Sequence, residues 1–275
     1  MAEPGHSALM ASLRLTLLGI LAALVLMAAP SASAIVGGAE DTEHPYVVFL
    51  GQQVQLPNGT TLNANACSGT LVAPTVVVTA AHCGLLPPPL NTFPQRWVVR
   101  QGPSIAAPTA ATTGTFIAHP GFCTSCPGGP QNFGNNDLAV VLLATPLDGP
   151  YANLPKEGWV GKHFEKSKQL VVVGYGVTQP RLVPSDPVVG LGTRRFVQSR
   201  ANLLAGGENF LELPMPEKDK YGVACSGDSG GANLVGDTLV AVTSIGDLRC
   251  GGPNYAFRID TASARAFLGQ YVDLR

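Results

Sequence analysis

Three residues in separate parts of the chain could together cleave an acyl bond. Ser229 lies in Cys-Ser-Gly-Asp-Ser-Gly-Gly, residues 225–231, while His82 lies in Thr-Ala-Ala-His-Cys and Asp137 in Asn-Asn-Asp. A serine hydroxyl becomes a strong nucleophile when a neighbouring base takes its proton, and histidine accepts protons near neutral pH. A carboxylate at the head of an apolar strand is costly to bury without a partner, and an imidazole ring would supply one.

The glycines beside Ser229 fit this chemistry, because glycine lets the chain bend until backbone N–H groups converge on a developing oxyanion. Each motif alone also has an ordinary structural explanation. Serine and glycine are common turn residues, a lone histidine is often structural, and an aspartate in a turn is usually solvated. We expect such structural or surface roles for the other histidines of the folded region, His44, His119 and His163.

Composition excludes several classes of protein. The 275 residues include 17 Lys and Arg against 18 Asp and Glu, so the formal net charge is −1. This balance predicts no general affinity for nucleic acid or acidic membranes. With 45% hydrophobic and 13% charged residues, the chain has enough apolar mass for a large core.

The first 34 residues have the pattern of a secretory signal peptide. Arg14 precedes an apolar run at residues 15–29, and Ala32-Ser33-Ala34 provides an A-x-A cleavage site. A membrane anchor is the alternative, but a bilayer needs about 20 apolar residues and this run has 15. We therefore expect a secreted, extracellular and soluble protein in which disulfides are permitted.

The remaining sequence is typical of a β protein. Short segments rich in Val, Thr and Ile are separated by turn signals such as Asn58-Gly59, and they predict about a dozen strands. The clearest are Tyr46–Leu50, Thr75–Ala80, Trp97–Arg100, Leu138–Ala144, Leu170–Val173, Arg195–Ser199 and Thr238–Ile245. A pair of barrels or sandwiches fits this number of strands.

Helical periodicity occurs only at the end of the chain. Apolar residues fall on one helical face after a plausible cap at Asp260 or Thr261, namely Ala264, Phe267, Leu268, Tyr271 and Val272. A break in composition from Pro146 to Pro155 separates two halves. We expect one β domain at residues 35–150 and a second at 151–260, followed by a helix at residues 261–275; the resemblance described next implies that both are β-barrels.

Four motifs in order resemble the chymotrypsin/trypsin family of secreted serine proteases. They are Ile35-Val36-Gly37-Gly38, Thr79-Ala80-Ala81-His82-Cys83, Asn136-Asp137-Leu138 and Gly227-Asp228-Ser229-Gly230-Gly231. The resemblance covers residues 35–275, and the order His, Asp, Ser is that of the chymotrypsin template. It implies an all-β fold of two six-stranded antiparallel barrels with the active site between them and a C-terminal α-helix.

The resemblance also implies a role for each motif residue. Ser229 would attack the scissile carbonyl, His82 would take its proton and later protonate the leaving amine, and Asp137 would fix the His82 tautomer. The N–H groups of Gly227 and Ser229 would form the oxyanion hole. Ser244 would support Asp137.

Activation in this family would depend on a new N-terminus at Ile35. Its α-ammonium would pair with Asp228 and order the pocket and the oxyanion hole. Because Ala34 ends the predicted signal-peptidase site, export and activation would be one event. A cut further upstream, with later trimming by a second protease, is the alternative.

The substrate pocket implied by the resemblance contains Val223, Ala224, Ser226, Ser244, Ile245, Gly246 and Asn254. Val223 stands where a trypsin-like enzyme carries Asp, so a preference for Arg or Lys is not supported. Asn254 stands where the family often has Gly and would shorten the pocket. Residues 244–246 would pair with the substrate backbone as an added strand, with Ile245 replacing the usual Trp. We expect a small or medium uncharged side chain before the scissile bond.

Two of three expected disulfides match family bridges, Cys67–Cys83 beside the His82 loop and Cys225–Cys250 between the pocket walls. Cys123 and Cys126 have no family counterpart, and a Cys-x-x-Cys pair could bind metal or act in redox chemistry. Zinc would need two more ligands, and the prolines and glycines at residues 127–130 exclude the helix that redox motifs open. We favour a structural bridge within this loop.

The resemblance implies no cofactor. Residues 101–115, which correspond to the family's calcium loop, contain no acidic residue, so we expect no metal there. Expected partners are protein or peptide substrates and proteinaceous inhibitors of a monomeric enzyme. The alternative is a homologue of weak or absent activity that acts as a secreted binding protein. A purely structural β domain would not explain the glycines beside Ser229.

Overall fold

The computed structural model describes residues 35–124, 126, 135–164, 167–180, 183, 186–204, 209–214, 222–247 and 249–274. The predicted signal peptide at residues 1–34 lies outside these ranges. None of the helices in the described ranges is long and apolar enough to cross a membrane.

Six antiparallel strands close the first barrel in the order β2-β3-β4-β7-β6-β5, with β5 pairing back to β2. Branched aliphatic residues dominate, and all four residues of β4 are buried. The strands are β2 (Val47–Gln55), β3 (Thr61–Ala73), β4 (Val76–Thr79), β5 (Gln95–Gln101), β6 (Ala110–Ala118) and β7 (Ala139–Leu143).

Six more antiparallel strands close the second barrel in the order β8-β9-β10-β13-β12-β11, with β11 pairing back to β8. They are β8 (Lys168–Gly174), β9 (Arg195–Leu203), β10 (Phe210–Leu213), β11 (Ala232–Val235), β12 (Thr238–Gly246) and β13 (Asn254–Arg258). A short strand, β1 (Ala39–Glu40), extends this sheet by pairing with β9. The short helix α1 (Trp159–His163) precedes β8.

The C-terminal helix α2 (Ala262–Leu268) begins at Thr261, whose side chain accepts a hydrogen bond from the Ala264 N–H. Ala264, Phe267 and Leu268 are buried. Tyr271 and Val272 pack against the core after the helix has ended. The predicted class, two six-stranded antiparallel barrels with a C-terminal helix, is confirmed.

A buried ion pair holds the segment before β2 against the second barrel. Arg194 Nε donates to Asp41 Oδ2 at 2.7 Å, and His44 Nδ1 lies 2.6 Å from Asp41 Oδ1. Burial by itself raises the pKa of Asp41, but the His44 ring and the Arg194 guanidinium outweigh it and lower that pKa below its usual 3.8. The pair thus fixes the chain that leads from Ile35 into the first barrel.

Ser68, in β3, joins the two barrels where they meet. Its hydroxyl donates to the Gly227 carbonyl and accepts from the Tyr175 N–H, both at 2.9 Å. Its own N–H donates to the Ser229 carbonyl at 2.8 Å. Since Ser68 is fully buried, water cannot replace these partners.

We predict that Ser68→Ala lowers the free energy of unfolding by about 1–3 kcal/mol, because it leaves the Gly227 carbonyl and the buried Tyr175 N–H without this partner. Urea unfolding measures the loss. Ser199→Ala is the matched control, since the Ser199 hydroxyl is also buried but donates only to the adjacent Arg200 carbonyl at 3.4 Å. Equal losses in the two variants would contradict a bridging role for Ser68.

Candidate active site

A cavity of about 410 Å³ is lined by residues of both barrels. The first barrel contributes His82, and the second contributes the remaining lining residues, which are Ala224, Cys225, Ser226, Ser229, Thr243, Ser244, Ile245, Gly246, Asp247 and Asn254. The structure therefore brings His82 and Ser229 to one cavity, although they are far apart in sequence.

His82 lies in a single 3₁₀ turn, Ala81–Gly84, directly after β4. Its flanking residues Ala81 and Cys83 are buried, and a disulfide joins Cys83 to Cys67 in β3. The small apolar neighbours and the disulfide fix the backbone of the turn, so the His82 side chain projects from a rigid support.

Asp137 precedes β7 and is fully buried. Its Oδ2 lies 2.8 Å from His82 Nδ1, and its Oδ1 accepts from the His82 backbone N–H at 2.8 Å. The Ser244 hydroxyl of β12 donates to Oδ2 at 2.5 Å. The carboxylate therefore holds the His82 turn by both its backbone and its ring.

The electrostatics of Asp137 favour its charged form. Burial by itself raises the pKa of this carboxyl, but the charge and hydrogen bonds of His82 and the Ser244 hydroxyl outweigh burial. The pKa of Asp137 is therefore below its usual 3.8. An ionised Asp137 can stabilise a protonated His82 ring throughout the neutral range.

The chain turns sharply around Ser229. Gly227 has a φ of 96°, a backbone conformation that residues with a side chain rarely adopt. The Asp228 N–H donates to the Cys225 carbonyl at 3.0 Å. Within the part of the chain that the structure describes, the N–H groups of Gly227 and Ser229 donate to no protein acceptor. Two donors are thus left available beside the Ser229 hydroxyl.

Asp228 is buried beneath this loop, with backbone partners alone among the described residues. Its Oδ1 accepts from the Gly176 N–H and its Oδ2 from the Cys225 N–H, both at 2.8 Å. Burial raises the pKa of Asp228 to about 7, and these two hydrogen bonds offset only part of that effect. No cation of the described residues therefore faces Asp228.

The first described residues lie beside the pocket loop. Ile35 is fully buried and shares an apolar cluster with Ala224. Val36 exchanges two backbone hydrogen bonds with Val223, each of 3.1 Å. The segment on which the predicted activation depends is therefore packed against residues that lie within a few positions of Asp228.

The predicted pocket residues divide into two groups. Ala224, Ser226, Ser244, Ile245, Gly246 and Asn254 line the cavity. Val223 is not among the lining residues, since it is buried against Val36, Val177 and the Cys225–Cys250 disulfide. The apolar cluster thus lies behind the cavity wall.

Two residues near the cavity were not predicted. Ser68 supports the Gly227 carbonyl from the first barrel, but a serine in a strand gives no sequence signal for such a role. Asp247 lines the cavity, and its carboxylate accepts from the backbone N–H groups of Arg249 and Gly251. Its position after Ser244-Ile245-Gly246 could have indicated it.

Cys123 and Cys126 are joined by a disulfide in the loop that leads towards Asp137. The structure thus pairs all six cysteines, and none is left as a thiol. The bridge at residues 123 and 126 closes a loop of the first barrel and does not touch the described lining of the cavity.

Comparison with known proteins gives consistent results. The trypsin family model matches residues 35–268. A trypsin of Saccharopolyspora erythraea is 30% identical over 232 residues, which are 82% of this chain and 93% of that protein. The vitellin-degrading protease of Bombyx mori is 28% identical over 255 residues, covering 87% and 84% of the two chains.

A solved structure of neuropsin, a serine protease expressed in the limbic system of mouse brain, has a similar fold. The TM-score is 0.61 at 18% identity, over 87% of this chain and all of that one. The structural likeness supports the fold, and the family match extends over most of the sequence. The chain belongs to the trypsin family and is a serine-type endopeptidase.

Proposed function

We propose that this protein is a secreted, monomeric endopeptidase that hydrolyses peptide bonds through Ser229, His82 and Asp137. The observation that carries the proposal is the cavity in which Ser229 and His82 meet, with His82 held by the buried Asp137. Proteinaceous inhibitors that bind the same cavity would be natural partners. The reaction has two steps, formation of an acyl-enzyme and its hydrolysis, and neither step needs a cofactor.

In the first step, the Ser229 hydroxyl attacks the scissile carbonyl carbon while His82 Nε2 takes its proton. The carbonyl oxygen becomes an oxyanion, and the unpaired N–H groups of Gly227 and Ser229 are available to hold it. His82 then gives the proton to the leaving amine, and an acyl-enzyme remains.

In the second step, water attacks the acyl carbonyl as His82 takes a proton from that water. Collapse of the intermediate breaks the Ser229 ester and returns the proton to Ser229. Asp137 stays ionised throughout and stabilises the transient imidazolium. Its hydrogen bond from Ser244 keeps the carboxylate oriented towards Nδ1.

We also propose that a free ammonium at Ile35 switches the enzyme on. Asp228 lies buried with two N–H partners and no cation among the described residues, in a chain whose Ile35 is peptide-bonded to Ala34. An ammonium at Ile35 would neutralise this carboxylate and fix the loop that carries Gly227 and Ser229. Cleavage after Ala34 would both release the protein and activate it.

For the side chain before the scissile bond, we propose a small or medium uncharged group. The lining formed by described residues contains neither Lys nor Arg, and its one carboxylate, Asp247, is exposed and engaged with backbone N–H groups. Residues 244–246 would pair with the substrate backbone on one side of the cavity.

We predict that Ser229→Ala abolishes hydrolysis of a peptide library while the fold is retained, because the nucleophile is lost. Turnover should fall to the residual level that binding and an oxyanion hole provide, several orders of magnitude below the parent. Circular dichroism and urea unfolding check the fold. Hydrolysis at the parent rate would show that another residue is the nucleophile.

Activity should decrease in acid, because a protonated His82 can no longer accept the Ser229 proton. The low pKa of Asp137 keeps its carboxylate charged over the same pH range. We therefore expect kcat/KM to fall in a single step on the acid side of the pH profile. Measurement of kcat/KM against pH tests this. A plateau that continues down to about pH 4 would contradict the role of His82.

Protein that begins at Ile35 should be active, whereas protein with an extra Met before Ile35 should be folded and nearly inactive. At alkaline pH the authentic form should lose activity as its amine deprotonates, above the reference value of about 8 if the ion pair raises it. Equal activity of the two forms would rule out the ion pair.

N-terminal sequencing of freshly secreted protein tests where the chain is cut. A stable inactive form that begins upstream of Ile35 would exclude activation by export.

Stability gives a second measurement on the extended form. In the protein that is extended before Ile35, the pKa of Asp228 in the folded state is about 7, against an ordinary 3.8. The neutral carboxyl therefore contributes fully to the free energy of unfolding below about pH 4, and this contribution is lost as the pH rises through about 7. Asp228→Asn should abolish this loss. The same substitution should inactivate the authentic form, because an amide cannot pair with the Ile35 ammonium.

A further inference from the structure

The side chain of Asn254 lies in the wall of the cavity, with no hydrogen-bond partner in the part of the chain that the structure describes. Asn254 begins β13, is 4% exposed and lines the cavity beside Ser229. Its backbone pairs with Gly246 and Leu213. Among the described residues, however, nothing donates to or accepts from its carboxamide. Neither carboxamide atom is closed off from the cavity, so a group that enters from outside the chain can pair with it.

The neighbouring glycine makes room for this amide. A Cβ on Gly246 would collide with Asn254 Oδ1, so any other residue at 246 would displace the carboxamide from the cavity. The Nδ2 atom lies farther from that point, at 3.8 Å. The absence of a side chain at 246 therefore leaves room for the Asn254 amide at its present position in the wall.

The other polar groups of the inner wall are already engaged. Thr243 Oγ1 accepts from Asn233 Nδ2 at 3.0 Å, and the Ser244 hydroxyl donates to Asp137. Ser226 and Asp247 are exposed, so they lie at the rim of the cavity. From the described lining, a side chain that enters the cavity thus meets apolar atoms and the Asn254 amide, and no buried charge.

We propose that the cavity selects substrates whose side chain before the scissile bond ends in a carboxamide, Gln or Asn, and that Asn254 is the residue that recognises it. This inference rests on the proposed function. Each carboxamide has two N–H donors and one strong acceptor, so the two groups can pair reciprocally.

Competing side chains are disfavoured for different reasons. An aliphatic group of equal size would leave the Asn254 amide unpaired and shut off from water. A pocket that forms a hydrogen bond with its substrate therefore discriminates strongly against a substrate that lacks the bonding group. Lys or Arg would bring a charge into a cavity whose inner wall, as far as it is described, has no carboxylate to meet it. The preference thus combines a new hydrogen bond with the rejection of charge.

The test compares peptide substrates that differ only in the residue before the scissile bond. Asn and Leu form the matched pair, because their side chains have nearly the same shape, and Gln, Met and Lys complete the set. For the parent enzyme we expect kcat/KM for Asn or Gln to exceed that for Leu about tenfold or more. Equal or better cleavage of the Leu substrate would overturn the proposal.

Two variants distinguish recognition of the substrate carboxamide by Asn254 from an effect of cavity size alone. Asn254→Leu keeps the shape and should abolish or reverse the preference for Asn over Leu. Asn254→Asp puts a carboxylate at the same point and should raise kcat/KM for Lys relative to Gln. If Asn254→Leu retains the carboxamide preference, another group recognises the substrate and the proposal is wrong.

Labelling by a fluorophosphonate keeps this test distinct from that of the proposed function. Parent enzyme and both variants should label at Ser229, since the change lies in the cavity wall and leaves the nucleophile in place. Absence of labelling in the parent would contradict the catalytic proposal. Labelling with no preference for carboxamides would contradict only the specificity.

Discussion

A single buried carboxylate organises this protein. Asp137 has no access to water, so its charge must be met by hydrogen bonds from the chain. It receives them from the ring and backbone of His82 and from the hydroxyl of Ser244. Because Ser244 belongs to the second barrel and the other two residues to the first, the charge can be satisfied only when both barrels have docked.

The second requirement is a loop that keeps N–H groups unpaired. A glycine at 227 permits the turn, Ser68 holds its carbonyl from behind, and Asp228 anchors the loop below. The N–H groups of Gly227 and Ser229 then have no acceptor within the described chain. Because both residues are partly exposed and Ser229 lines the cavity, these donors can serve a substrate oxyanion.

Much of this arrangement could be predicted from the sequence. The strands were recognisable from short Val- and Thr-rich segments, and the glycine and histidine motifs pointed to His82 and Ser229 before any geometry was known. These features depend on residues close together in the chain. Ser68 and the unpaired Asn254 amide could not be inferred in the same way, because their significance comes from partners far away in sequence.

The substrate pocket shows the same limit of prediction from sequence. Sequence spacing placed Val223 in the substrate site, whereas in the structure it packs with Val36 and Val177 and does not line the cavity. Whether a wall residue faces inwards depends on the register of β12 and β13 and on the packing of the first residues after Ala34. Neither can be deduced from a motif.

The most direct test of the account is the rate at which a fluorophosphonate modifies Ser229 in the parent and in Asp137→Asn, with the modified residue mapped by mass spectrometry. We expect a single adduct on Ser229 in the parent and a rate lower by a factor on the order of 10³–10⁴ in the variant, because an amide cannot hold the His82 ring in its catalytic tautomer. Equal rates in the two proteins, or an adduct on another residue, would contradict it.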